Sequence, residues 1–101
     1  MTNDNLEKQN SSTGKTVLYF WAPWCAPCTQ FSSCFEAASN QIKTASFIKH
    51  NVDDSVSTAN SFAVRSVPTV IVLSNGKEIA RTSGSKTEEE FIEWLNSALN
   101  D

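Results

Sequence analysis

Trp21-Ala22-Pro23-Trp24-Cys25-Ala26-Pro27-Cys28 joins an apolar run over residues 17–21 to a segment of helical periodicity, with two cysteines two residues apart at the junction. A short continuous apolar run fits a strand covered on both faces. Cys28, Phe31, Phe35, Ala38 and Ile42 then recur at helical spacing, which predicts an amphipathic helix over residues 26–41. Two thiols so spaced in the first turn of a helix come close enough to close a disulfide, and the helix N-terminus stabilises a thiolate on the first. The chemistry to expect at this junction is thiol–disulfide exchange.

Downstream, residues 47–52 read as a second strand. Asp53-Asp54-Ser55 offers caps to a short helix carrying Val56, Ala59, Phe62 and Ala63. Residues 69–73 form a third strand, and Asn75-Gly76 is a two-residue hairpin signal leading into a fourth strand around 78–82. The sheet thus begins with a βαβ unit and ends antiparallel. Thr87-Glu88-Glu89-Glu90 is a capping box, and Phe91, Trp94, Leu95, Ala98 and Leu99 follow on one helical face that should cover the sheet. Residues 1–14 are polar, with Leu6 the only large apolar residue after Met1, and read as a short helix or a disordered leader. Residues 15–101 form the one domain; no repeat or linker suggests a second.

A chain of 101 residues with 40% hydrophobic content can build one core without disulfide staples. Its apolar stretches are far shorter than a membrane span, and no positive n-region precedes an apolar segment near the start, so a cytoplasmic protein is expected. A net charge of -3 with no Lys or Arg cluster argues against a nucleic-acid or anionic-membrane partner. Three cysteines, an odd number, do not make a disulfide framework and suit a reducing compartment in which one pair cycles.

The order strand, Trp-x-x-Trp-Cys-x-Pro-Cys, helix, strand ending Asn51-Val52-Asp53, helix with Phe62-x-Val64, Val67-Pro68-Thr69, strand, Asn75-Gly76, strand, Gly84, helix resembles the thioredoxin family from about Lys15 to the C-terminus. The second signature, Val67-Pro68-Thr69, carries more weight than the cysteine spacing alone. The resemblance implies a three-layer α/β/α thioredoxin fold with a central mixed sheet of four to five strands and three to four helices. It also implies reduction of protein disulfides through a Cys25/Cys28 cycle. Cys25 would attack as thiolate, Cys28 would resolve the mixed disulfide, and Pro68, cis in the family, would face the dithiol and offer an edge for an extended target. Trp21, Trp24, Val67 and Gly84 would border that surface with the Ala26-Pro27 dipeptide. The partners implied are disulfide-bearing proteins and a thioredoxin reductase-type electron donor. No bound cofactor is required, since no Gly-rich nucleotide fingerprint is present, and nothing requires more than a monomer.

Departures from the family pattern mark what is particular to this chain. Ala26 stands where the family commonly has Gly; it favours helix and would stiffen the first turn. About 1.4 kcal/mol of differential stabilisation of dithiol over disulfide moves a potential by about 30 mV. Tyr19 occupies the place of a buried family aspartate thought to take the proton of the resolving cysteine. Its hydroxyl could relay a proton or hold a water, whereas Lys49, aligned with a family lysine, would lose its anionic partner. Slower resolution by Cys28, or another proton route, is expected; the plain alternative is that Tyr19 is there for its ring. Ser33, where the family often has proline, predicts a straighter helix. The polar leader looks too short for the family's whole first strand, so one sheet edge would be short or missing.

The remaining features have plain readings. Cys34 lies roughly 120° round the helix from Cys28, so the two cannot face one ligand, and it reads as a half-buried filler. No fourth ligand stands at zinc spacing, and His50 reads as an ordinary strand residue. Three function classes follow: a general disulfide reductase, a specialised redox partner with narrow targets or a more oxidising potential, and a non-catalytic binding module on the same fold.

Overall fold

In the computed structural model, which describes residues 14–100, Val17, Leu18, Tyr19 and Phe20 are all buried in a strand running down the middle of the molecule. That strand, β1 (Lys15–Trp21), is followed by α1 (Ala26–Gln41), β2 (Ser46–Asn51), α2 (Val56–Ser61), β3 (Thr69–Ser74), β4 (Lys77–Ser83) and α3 (Glu88–Leu99). The expectations for the polar leader and a first family strand fall, save for Gly14, outside the described residues. Among the described residues the sheet has four strands in the order β2-β1-β3-β4. β1 pairs parallel with β2 and antiparallel with β3, and β3 pairs antiparallel with β4.

The period-2 alternation of side chains divides the interior into two layers. Val17, Tyr19, Val70 and Val72 point to the face covered by α1 and α3, where they meet Phe31, Phe35, Ala38, Phe91 and Leu95. Leu18, Phe20 and Ile71 point to the opposite face, covered by Ala59 of α2 with Phe62 and Val64 beyond it. An aromatic chain ties the first layer together: Tyr19 to Phe31 at 5.3 Å, Phe31 to Phe91 at 4.8 Å and Phe35 to Phe47 at 5.4 Å between ring centroids. α1 runs unbroken through Ser33. α3 starts with both bonds of its capping box, Thr87 Oγ1 accepting from the Glu90 N–H and Glu90 Oε1 from the Thr87 N–H. At its other end Lys15 Nζ donates to the Leu99 carbonyl, a cation at the negative end of the dipole.

Two local readings need correction. The Asp53-Asp54-Ser55 run does not cap α2 through a side chain; Ser55 sits at the N-cap position without a side-chain bond, and only its carbonyl takes the Ala59 N–H. The helix also stops at Ser61, short of Phe62 and Ala63. Ala63 adopts φ 55°, its N–H bonding the Asn60 carbonyl and the Val64 N–H bonding the Ala59 carbonyl, the paired bonds of a Schellman end. A residue with a Cβ is disfavoured there, so Ala63→Gly is expected to raise stability by about 0.5–1 kcal/mol in a urea titration.

β4 carries a bulge that its apolar pattern hides. Val72 pairs with Ala80 but Leu73 with Glu78, leaving Ile79 as the extra residue, and Ile79 and Ala80 both pack on the first layer. The bulge brings Glu78 and Arg81 to the same face. Arg81 forks onto the Glu78 carboxylate at 2.8 and 2.9 Å and donates to the Phe62 carbonyl at 2.6 Å and the Ala63 carbonyl at 3.5 Å. β4 therefore clamps the C-terminal end of α2.

Candidate active site

α1 begins at the cysteine pair because Cys25 leaves β1 in an extended conformation and serves as N-cap, its Sγ accepting the Cys28 N–H at 3.2 Å. Ala26 and Pro27 fill the first turn, where proline's missing N–H costs nothing, and no acidic residue stands in that turn to oppose the positive helix end. Cys25 and Cys28 are joined by a disulfide with Cα atoms 5.3 Å apart. Cys25 is 5% exposed and Cys28 only 1%, so any approach to the pair is to Cys25.

Facing this turn is the connection between α2 and β3. The Val67–Pro68 bond is cis, and the Val67 carbonyl oxygen lies 3.7 Å from Cys25 Sγ, within reach of a thiol donor once the pair is reduced. Thr69 Oγ1 donates to the Ser66 carbonyl at 2.7 Å, and the N–H of Gly84, at φ 90°, donates to the Pro68 carbonyl at 2.9 Å, so the connection is held from both strands. Trp21, Val52 and Val67 pack around Ala22, Cys25 and Cys28. Trp24 stands 68% exposed beside the pair, its indole N–H bonded to Asp53 Oδ1 at 3.3 Å, while Ala26 and Pro27 lie on the surface. The structure thus gathers Cys25, Cys28, Trp21, Trp24, Ala26, Pro27, Val67, Pro68 and Gly84 at one end of the sheet.

Tyr19 and Lys49 sit deeper. Tyr19 is fully buried; its hydroxyl donates to the Cys28 carbonyl at 3.1 Å and shares a bond of 3.0 Å with Ser32 Oγ, one turn along α1 from Cys28 and half exposed. Burial raises the phenol above its ordinary value, so it stays protonated and offers no base. Lys49 has no carboxylate at the Tyr19 position to pair with, as expected, but finds another anion: it pairs with Glu36 of α1 at 3.4 Å and lies 5.5 Å from the centre of the Trp21 ring, with no bond to either cysteine. Glu36 is thirteen positions from Lys49, beyond any local spacing rule.

Other sequence candidates stand apart. Cys34 Sγ approaches the Lys86 carbonyl at 3.8 Å, and burial raises its thiol, with Glu88 adding to the shift. His50 stacks on Phe20 at 5.2 Å, and burial lowers it below its ordinary value. Asp53, read as a helix cap, instead holds the Trp24 indole, and Ser32, not singled out in the sequence, closes the bond network under Cys28.

Two sulfurs that can be joined across one helical turn form a two-electron couple, so the chain is by class a thiol–disulfide oxidoreductase. The thioredoxin family model matches residues 1–97. The thioredoxin of Mycoplasma genitalium is 35% identical over 92 residues, 91% of this chain and 90% of that protein, and the thioredoxin of Bacillus subtilis is 32% identical over 97 residues, 95% and 93% of the two. Among solved structures, the thioredoxin of Fasciola hepatica superposes with a TM-score of 0.82 at 29% identity, over 94% of this chain and 89% of that one. The chain belongs to the thioredoxin family, and its activity is dithiol–disulfide exchange.

Proposed function

We propose that this protein is a general reductant of protein disulfides in a reducing cytoplasm, working as a monomer and recharged by a thioredoxin reductase-type donor. The observation that carries this reading is the Cys25–Cys28 couple at the start of α1, with the Val67 carbonyl 3.7 Å from Cys25 Sγ. Reduced Cys25, with the Cys28 N–H and the helix end favouring its thiolate, attacks a target disulfide; a Cys25–target bond forms as the other target sulfur leaves. Cys28 gives up its proton and attacks Cys25 Sγ, which forms the Cys25–Cys28 bond and releases the second target thiol. The target gains two electrons and two protons, and the donor returns as many to the pair. An extended target lies along Val67 and Pro68, with Trp24, Ala26 and Pro27 on the surface beside it. Residues 15–101 act as the domain. Among the described residues no helix is long and apolar enough to cross a membrane, consistent with this setting. Insulin reduction driven by a generic thioredoxin reductase, with the potential of the Cys25–Cys28 couple, tests the proposal. Turnover at a potential near that of a reductant supports it, and a strongly oxidising couple or refusal of insulin favours the specialised partner.

Proton removal from Cys28 proceeds here without a carboxylate at the Tyr19 position. The Tyr19 ring fills the core between Phe31 and Phe35, and its hydroxyl braces the Cys28 turn. Tyr19→Phe is therefore expected to cost about 1 kcal/mol in stability and to leave the rate and pH profile of insulin reduction nearly unchanged. A displaced pH profile in the variant would instead give the hydroxyl a part in the proton step.

A further inference from the structure

Beside the dithiol, between Trp24 and the end of α2, runs a groove of about 180 Å³. Trp24, Val52, Ala59, Val64 and Val67 make its apolar wall, and Arg65 is the one charged side chain on it. The groove is continuous with the site, because Val52 and Val67 also pack on the cysteine turn and the Val67 carbonyl meets Cys25 Sγ at 3.7 Å. Arg65 is exposed, and among the described residues it makes no hydrogen bond or ion pair. The other arginine is fully used: Arg81 is locked between Glu78 and the end of α2. Lys49 is likewise paired, with Glu36. Asp53, the acid bound by the Trp24 indole, does not line the groove. An unpaired guanidinium thus rims an apolar channel that leads to the reactive sulfur, on a chain whose net charge is -3.

We infer that Arg65 selects targets, favouring disulfides whose flanking segment places an apolar side chain in this groove and a carboxylate at its rim. The inference rests on targets docking beside Val67. Arg65 and Val67 are two residues apart, a span of at most about 7 Å, so the carboxylate belongs within about two residues of the target's reacting cysteine. A guanidinium recognises a carboxylate with two parallel donors, and the surrounding apolar wall reduces the competing hydration. The effect is on encounter and binding and is screened by salt.

The test uses three otherwise identical disulfide peptides bearing Glu, Gln or Lys two residues from the cysteine, with kcat/KM measured for the wild type, Arg65→Gln and Arg65→Lys. The wild type should prefer the Glu peptide over the Lys peptide by about fivefold at low salt, the scale of an exposed ion pair made and lost. The ratio should fall toward one in Arg65→Gln and in high salt, and be largely retained in Arg65→Lys, which keeps the charge. A wild type indifferent to the flanking charge, or a ratio unchanged in Arg65→Gln, overturns the inference. Failure of the wild type to reduce any of the three peptides would overturn the docking and reductase reading itself.

Discussion

Cys28→Ser is expected to abolish catalytic turnover while leaving Cys25 able to attack, so that a covalent Cys25–target adduct accumulates. The reason is the division of labour that burial imposes. Cys25 holds the N-cap position and adjoins the open edge at Val67, whereas Cys28 is 1% exposed and positioned to attack only Cys25. A neighbouring thiol held in this way acts at an effective concentration of roughly 10⁵ M or more, which no thiol in solution can match. Insulin reduction by Cys28→Ser should therefore fall by about a thousandfold or more, and mass spectrometry of the stalled reaction should find one target chain per protein on Cys25. Cys25→Ser should lose turnover equally and form no adduct. Retention of wild-type turnover by Cys28→Ser would remove Cys28 from the resolving role.

Phe91→Ala should produce the largest loss of stability. Phe91 is fully buried where α3 meets α1, 4.8 Å from Phe31, 6.4 Å from Phe35 and 6.3 Å from Trp94 between ring centroids. Truncation removes the ring's burial and leaves a cavity bounded by other rings that cannot all collapse into it, a cost of about 3–5 kcal/mol. For a chain of this size that corresponds to a fall in Tm of roughly 12–40 °C, read by calorimetry or circular dichroism. Val56→Ala, at a residue 56% exposed, is the matched control and should change stability by less than about 0.5 kcal/mol. A loss below about 1 kcal/mol in Phe91→Ala would mean that α3 is not a principal support of α1.

The elements whose burial is periodic were legible from the residues alone. Cys28, Phe31, Phe35 and Ala38 mark one face of α1, and its observed bounds coincide with the predicted ones because the junction at the cysteine pair and the end of the stripe are both local signals. The Asn75-Gly76 hairpin was equally plain, with both residues at positive φ in the structure. What could not be read depends on contacts between distant positions. The β4 bulge leaves no trace in composition, since Ile79 beside Ala80 looks like an ordinary apolar pair. Glu36 reaches Lys49 only once α1 lies across the sheet. Asp53 looked like a cap because Asp before a helix usually is one, and only the folded chain puts the Trp24 indole within its reach. At the site, the cysteine pair and the Val67-Pro68 signature were visible, but the Ser32 contact beneath Cys28 depends on where β1 delivers the Tyr19 hydroxyl.

The clamp that β4 places on its neighbours bears on more than the end of α2. Arg81 fixes the chain at Phe62 and Ala63, and Gly84, just past the same strand, fixes it again at Pro68. The stretch between those moorings carries Arg65 and the Val67 carbonyl, so the receiving edge is splinted before any target arrives. A partner meeting a splinted edge orders itself alone, and the entropy lost on docking falls on one side of the complex. β4 touches neither sulfur, yet it governs how much of each encounter's binding energy survives to hold the target in place.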